Sequence, residues 1–410
     1  MLDLGGNVRK NPRLSGSTHN VFGIQLGISI NLLIRRRGNG QSTSPARVFY
    51  ARVDEFWPKE QKYKFLDDAG DWNGVKWTEV HPTPDARWLS QDMKADFAGL
   101  VPLGSKAAKR GEENSIFETY CNGAKSNSDA YVYRFNEADL LLTYQTMVNA
   151  YNAELDRWRR AGRPENVEDF IQVDETELKW IRHTKRTLAR DTEASVVLGN
   201  IRASLYRPFA LYHFIFDPMF NEDLYQLPEF FPHDKENVAI CLNMTAERPF
   251  TCIATSVIPN LVVAGGFGCT TQCFPFYVYD DSGTERRENV TNWAVANFQE
   301  HYENKSITKW DIFNYTYALL HHPDYRVRYA ENLKRELPRI PLAPDFGEFA
   351  NAGKRLIELH VDYESQPEYD LELIEKPDEP LNFEVEAMHL TDGKNTLVYN
   401  NFLSLKGIPR

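Results

Sequence analysis

Residues 21–34 form a nearly continuous apolar run rich in β-branched side chains, ended by Arg35-Arg36-Arg37 and the turn signal Gly38-Asn39-Gly40. Such a run predicts a strand. A second strand is expected over 47–53, where Val48, Tyr50 and Arg52 alternate with Phe49 and Ala51. The two read as a hairpin apolar on both faces, which belongs inside a sheet covered on both sides. Only a short strand within residues 1–8 precedes them, so the sheet is incomplete. Either later strands complete it, or this stretch is the tail of a larger α/β domain.

The spacing then changes. Residues 54–100 predict short helices and loops, with Trp57, Trp72, Trp77 and Trp88 scattered among Pro and Asp. Residues 101–135 are basic and rich in Gly, Ser and Asn around Lys106, Lys109, Arg110 and Lys125. The strongest helix follows: Asn136 is an expected N-cap, and Leu140, Tyr144, Met147, Val148, Tyr151, Leu155 and Trp158 recur at helical spacing as far as Gly162. A second helix is expected from about Glu175 to Arg190. From 205 to 280 the pattern turns to short β-type runs (206–216, 238–243, 251–258, 261–264 and 274–279) separated by Pro, Gly and Asn. Helices return at 311–321 and 323–336, and a further strand is expected at 382–388. The fold class is α+β, mixed, with terminal strands of an α/β sheet, a helical connector, and a β-rich module with C-terminal helices.

Composition narrows the classes. The chain has 410 residues, of which 42% are hydrophobic and 26% charged, which is ordinary globular usage and excludes disordered and collagen-like classes. The 14-residue run at 21–34 is too short for a membrane span and contains Gln25 and Asn31. It also starts too late for a secretory signal, so the chain reads as cytoplasmic. Five cysteines, an odd number, argue against a disulfide framework. Cys269 and Cys273 lack the companions of a zinc site and read as buried thiols in strands.

The net charge of -11 argues against a nucleic-acid partner until its distribution is considered. Residues 1–50 carry seven basic residues against the single acid Asp3, whereas residues 341–410 carry six bases against fourteen acids. One end can therefore face phosphate while the other faces solvent or a basic partner. No phosphate loop, dinucleotide fingerprint, nucleophile elbow or zinc-protease string occurs, and Gly265-Gly266-Phe267-Gly268 reads as a tight turn. The chain lacks a self-sufficient catalytic constellation, and no catalytic or metal-ligating residue is assigned.

Several strings are longer than chance allows. Asp3-Leu4-Gly5-Gly6-Asn7-Val8-Arg9-Lys10-Asn11-Pro12-Arg13-Leu14-Ser15-Gly16 runs into Thr18-His19-Asn20-Val21-Phe22-Gly23-Ile24-Gln25. Tyr206-Arg207-Pro208-Phe209, the stretch from Trp310 to Arg326 and the stretch from Leu333 to Pro341 follow. Together they closely resemble Type ISP restriction–modification enzymes, from the late motifs of the adenine-N6 methyltransferase domain to the C-terminal target-recognition domain. The resemblance implies that residues 1–100 are the end of the methyltransferase domain, 101–204 a basic loop and helical connector, and 205–410 the target-recognition domain. The family's Asn-Pro-Pro-Tyr string and its S-adenosylmethionine motif are absent: Asn11-Pro12 continues with Arg13. The implied function is thus sequence-specific recognition of double-stranded DNA by a fragment inactive alone. It needs no cofactor itself, while S-adenosylmethionine serves the complete enzyme. Methyltransferase, motor and nuclease parts would lie in the full-length polypeptide or another chain, with no membrane partner.

Phosphate contacts from Lys and Arg set register on DNA, and base-edge contacts specify sequence. The expected contacts are Arg9, Lys10, Arg13, His19 and Asn20 in the N-terminal loop, and Lys125 and Asn127 in a loop read as short and flexible. To these the second helix adds Lys179, Arg182, Arg186 and Arg190, a basic face opposite the apolar stripe Leu178, Ile181 and Leu188, together with Lys185. Arg207 reads as structural, packed among aromatics. Two other functions stay open: half of a split methyltransferase completed by another chain, and a non-catalytic scaffold binding a partner through its unfinished sheet and acidic tail.

Overall fold

The structure is a computed structural model. It describes residues 1–8, 14, 19–34, 46–82, 94–171, 175–244, 248–265, 268–385 and 388–409. Arg9, Lys10, Arg13, the Arg35–Gly40 turn signal, Trp88, Gly266 and Phe267 lie outside the described residues. The chain divides into two compact units, 1–361 and 362–410. That division falls inside the stretch read from the sequence as one target-recognition module.

The N-terminal sheet has four short strands in the order Ile28–Ile30, Leu2–Gly5, Val48–Arg52, Thr78–Val80. Leu2–Gly5 runs parallel to Val48–Arg52 and antiparallel to Ile28–Ile30. The expected hairpin is therefore absent, because the first strand inserts between its two arms. The long strand at 21–34 is also cut to three residues. Residues 21–27 instead make a loop built on Asn20, whose side chain answers four backbone groups. Leu2, Leu4, Val21, Val53 and Val75 form the small core, with Trp57, Phe65 and Trp77 packed on it. Phe22, Leu33 and Ile34 are left 74%, 86% and 78% exposed.

A central antiparallel sheet follows the order Cys252–Thr255, Ala239–Met244, Thr270–Pro275, Cys121–Asn122. Its Ile240, Leu242, Ala254 and Phe274 join the main core, where they meet the helix Lys309–His321. All nine residues 312–320 of that helix are buried, as expected of a helix surrounded by protein. Thr308 and Asp311 close its start as a capping box. This core draws residues from 97 to 357, so it crosses the boundary read at 204.

A third sheet, in the order Ile258–Pro259, Ile201–Arg207, Ala210–Ile215, Tyr133–Arg134, carries the long helix Glu137–Arg160. The Asn136 side chain accepts from the Ala138 and Asp139 N–H groups, and all seven residues of the expected apolar stripe are buried. The β-run at 206–216 is a hairpin broken at Pro208-Phe209, with Phe209 at φ +57°. Arg207 stacks on Tyr206 at 3.9 Å and donates to the Tyr206 carbonyl and Asn260 Oδ1, the structural role read for it. Residues 261–264 form turns rather than a strand. Four of the five buried cysteines lie in strands, whereas Cys269 precedes one.

The unit 362–410 is an antiparallel sheet in the order Glu372–Glu375, Leu403–Lys406, Thr396–Val398, His389–Thr391. The strand expected at 382–388 does not form over its described residues 382–385 and 388. Asn400 holds that segment through the Asn382 and Glu384 carbonyls. Among the described residues no helix is long and apolar enough to cross a membrane.

Candidate nucleic-acid interface

Among the described residues of the N-terminal loop, Asn20 directs its polar groups inward and is 1% exposed. Its Nδ2 donates to the Gly6 and Leu26 carbonyls at 3.2 and 2.5 Å, and its Oδ1 accepts from the Phe22 and Ile24 N–H groups. The buried Lys62 ammonium donates to the His19 carbonyl at 2.5 Å, and Tyr63 Oη donates to the Val21 carbonyl. His19 Nδ1 is itself buried. Asn20, expected to face DNA, therefore shapes this loop, because its hydrogen-bonding capacity is spent within the chain.

The second expected patch is rebuilt by the fold. The helix covers only Arg182–Ala189, so Lys179 lies before it and Arg190 caps its end. Leu178, Ile181 and Leu188 are buried as expected. The cations opposite them divide into two kinds. Arg182 pairs with Glu222 at 3.4 Å and donates to its carbonyl at 3.2 Å. Lys185 pairs with Glu168. Lys179, Arg186 and Arg190 make no ion pair among the described residues, and the two arginines are exposed. Arg182, Lys185, Arg186 and Glu168 border one shallow recess of about 540 Å³.

The Gly123–Asp129 loop differs from its flexible reading, because its backbone is tied on both sides. The Ala124 N–H donates to Pro259 O, the Leu261 N–H donates to Ala124 O, and Lys125 bridges Asp223 through both backbone groups. A Cβ at Gly123 would sit 2.5 Å from the Asn260 carbonyl, so the chain crosses there only as glycine. Asn127 sits at φ +54° with its side chain exposed. Glu222 connects this loop to the basic helix: its N–H donates to the Ser126 carbonyl while its other groups hold Arg182. Two patches 50 residues apart in the chain thus become neighbours.

A groove of about 810 Å³ opens beside the same loop. Its walls come from the edge strand Cys121–Asn122, Thr270–Pro275, the turn at Tyr225, and the ribbon pairing Val101–Pro102 with Arg339–Ile340. Lys109 lies 4.0 Å over the Tyr120 ring and donates to its carbonyl, and burial pushes its ammonium pKa down. Asn122, Tyr225 and Gln272 were not among the expected contacts, and Arg339 entered the sequence reading only within the string Leu333 to Pro341. The groove assembles them from distant segments, and no local pattern marks them.

The family model for the Type ISP C-terminal specificity domain matches residues 115–410. No curated protein matches. Among solved structures, the DrdV–DNA complex is similar over 100% of this chain and 40% of that chain, with 31% identity and a TM-score of 0.81. A nuclease-deletion mutant of the Type ISP restriction–modification enzyme LlaGI, in complex with a DNA substrate mimic, is similar over 100% and 37%, with 25% identity and a TM-score of 0.80. The ATP-dependent Type ISP enzyme LlaBIII bound to DNA shares the fold, with a TM-score of 0.81 over 100% of this chain and 26% of that one, at 23% identity. This chain thus spans less than half of each of these. With the family match covering most of its length, the chain belongs to the Type ISP C-terminal specificity domain family.

Proposed function

We propose that this chain recognises a specific double-stranded DNA sequence for a Type ISP restriction–modification system, with methylation, translocation and cleavage supplied by sequence outside this stretch. The observation that carries the reading is the family match over 115–410 together with similarity of the whole chain to DNA-bound enzymes. The cations Lys125, Lys179, Arg186 and Arg190 supply phosphate contacts on surfaces joined through Glu222. Arg182 and Lys185 shape that surface from within their ion pairs.

We infer that S-adenosylmethionine is held by sequence outside this stretch. In doubly wound α/β sheets a nucleotide ligand sits at an open Gly turn after a parallel strand. Here the Gly5-Gly6 turn after Leu2–Gly5 is filled by the chain itself, since a Cβ at Gly6 would lie 2.7 Å from the His19 carbonyl. The exposed Phe22, Leu33 and Ile34 favour completion of the N-terminal sheet by further methyltransferase structure.

Selection from a randomised duplex library tests the reading. The chain is expected to enrich one defined sequence, and its affinity for that duplex should fall steeply with salt. Failure to retain any duplex at low salt, or retention without enrichment, refutes it.

A further inference from the structure

The 810 Å³ groove carries a more specific assignment. Three cations (Lys106, Lys109 and Arg339) and one carboxylate, Glu336, border it, in a chain whose acids outnumber its bases by eleven. Two of the three cations are builders. Lys109 is held on Tyr120, and Arg339 donates to the Ala98 and Leu100 carbonyls with Glu113 at 3.9 Å. Lys106 is exposed and makes no ion pair among the described residues, so its ammonium is available to a phosphate.

In the same groove, Asn122 and Gln272 face each other in register on neighbouring strands. Gln272 Nε2 donates to Asn122 Oδ1 at 2.5 Å. That bond fixes both amides and turns the Gln272 carbonyl oxygen and the Asn122 amino group into an acceptor beside a donor. An amide acceptor–donor pair matches the N6 amino group and N7 of adenine in the major groove. Burial pushes the Tyr225 hydroxyl pKa up, and a hydrogen bond from the Asn122 amino group draws it partly back down, so one of the two amide hydrogens is spent on Tyr225 and the second is left for the adenine. The Tyr225 backbone is held at φ +49° by a bond from its own N–H to Asp223 Oδ1. Left-handed backbone in a non-glycine residue is strained and clusters where a side chain must be aimed. Asp223 is also the bridge partner of Lys125, so the groove continues the surface described above.

Resting on the DNA-recognition reading, we propose that this groove is where the domain reads its target: the Asn122–Gln272 amide pair, with Tyr225 beside it, contacts an adenine edge, and Lys106 contacts a neighbouring phosphate.

Library selection with the full chain and its variants tests this. Gln272→Ala is expected to erase the preference for adenine at one position, weakening the preferred duplex roughly 5- to 150-fold while binding to other sequences holds. Gln272→Glu, an acceptor at both oxygens, should move the preference at that position towards cytosine, whose N4 amino group donates. Lys106→Ala, on the exposed rim and safe for folding, should weaken all duplexes alike and lower the salt slope by about 1. An unchanged enriched sequence in both folded Gln272 variants, or a Lys106 variant identical to the parent in affinity and salt slope, overturns the assignment. If the unmodified chain enriches nothing, the DNA-recognition reading itself falls, and the groove's role with it.

Discussion

Gly353 sits where the helix Phe346–Val361 crosses the buried helix Lys309–His321, and replacing it with alanine tests how tightly the core is set. A Cβ at Gly353 would lie 1.8 Å from the Asn314 carbonyl oxygen, 2.6 Å from its carbon and 3.2 Å from the Ala318 nitrogen. The obstacle is main chain, part of the hydrogen-bond ladder of a helix buried on all sides, so no rotamer change relieves it. The outer helix must retreat, which loosens Ala350 and Ile357 in the core and the Tyr317–His360 hydrogen bond. Overpacking of this kind costs about 1–3 kcal/mol, and a backbone obstacle places it at the upper end. Alanine recovers about 1 kcal/mol of helix propensity. The net expectation is a loss of about 2 kcal/mol, a fall in Tm of roughly 3 °C for a cooperative unit the size of residues 1–361. Gly347 in the same helix has nothing within 4 Å of its Cβ position, so Gly347→Ala is the control and should be neutral or stabilising. Thermal melts of the two variants decide the matter. A Gly353→Ala protein as stable as the parent, or equal losses in both, would refute the steric argument.

His321 is held neutral by burial, with Arg326 and His360 adding to the effect, and its pKa is pushed down from 6.5 to about 4. The unfolded chain therefore binds a proton that the folded chain refuses between these values. Stability from this group is complete above pH 6.5 and is lost as pH falls towards 4, by at most about 3 kcal/mol. Denaturant midpoints measured from pH 7 to pH 4 should show this slope, and His321→Gln should flatten it. Gly123→Ala should destabilise the chain through the 2.5 Å approach to the Asn260 carbonyl, while a well-behaved folded variant in calorimetry would contradict the close crossing. Asn20→Ala leaves buried backbone groups unanswered and should cost about 1–3 kcal/mol, read by the same melts, with DNA affinity at permissive temperature intact. Arg186→Ala with Arg190→Ala should lower the salt slope of binding by about 2, whereas Arg182→Ala should change it less because Glu222 already neutralises that side chain. Equal slopes in fluorescence anisotropy titrations would remove the helix from the interface.

Wherever a repeat repeats long enough, the order of residues alone determined the structure. Helix Glu137–Arg160 is an example: its stripe from Leu140 to Trp158 and its cap at Asn136 are local patterns, and local geometry satisfies both. The strings shared with the Type ISP family were equally legible, because a motif is read without knowing what surrounds it. Strand pairing was not. The run at 21–34 carries the hydrophobicity of a strand, yet Leu2–Gly5 takes the place beside Val48–Arg52, and Asn20 turns the residues that follow into a loop. Only the assembled fold decided which cations stay available, since Glu168 and Glu222 reach Lys185 and Arg182 from other segments. The same holds for the groove, where Asn122 and Gln272 meet across 150 residues of chain. Periodicity records what a segment buries, whereas a binding surface depends on which distant segments the core brings side by side.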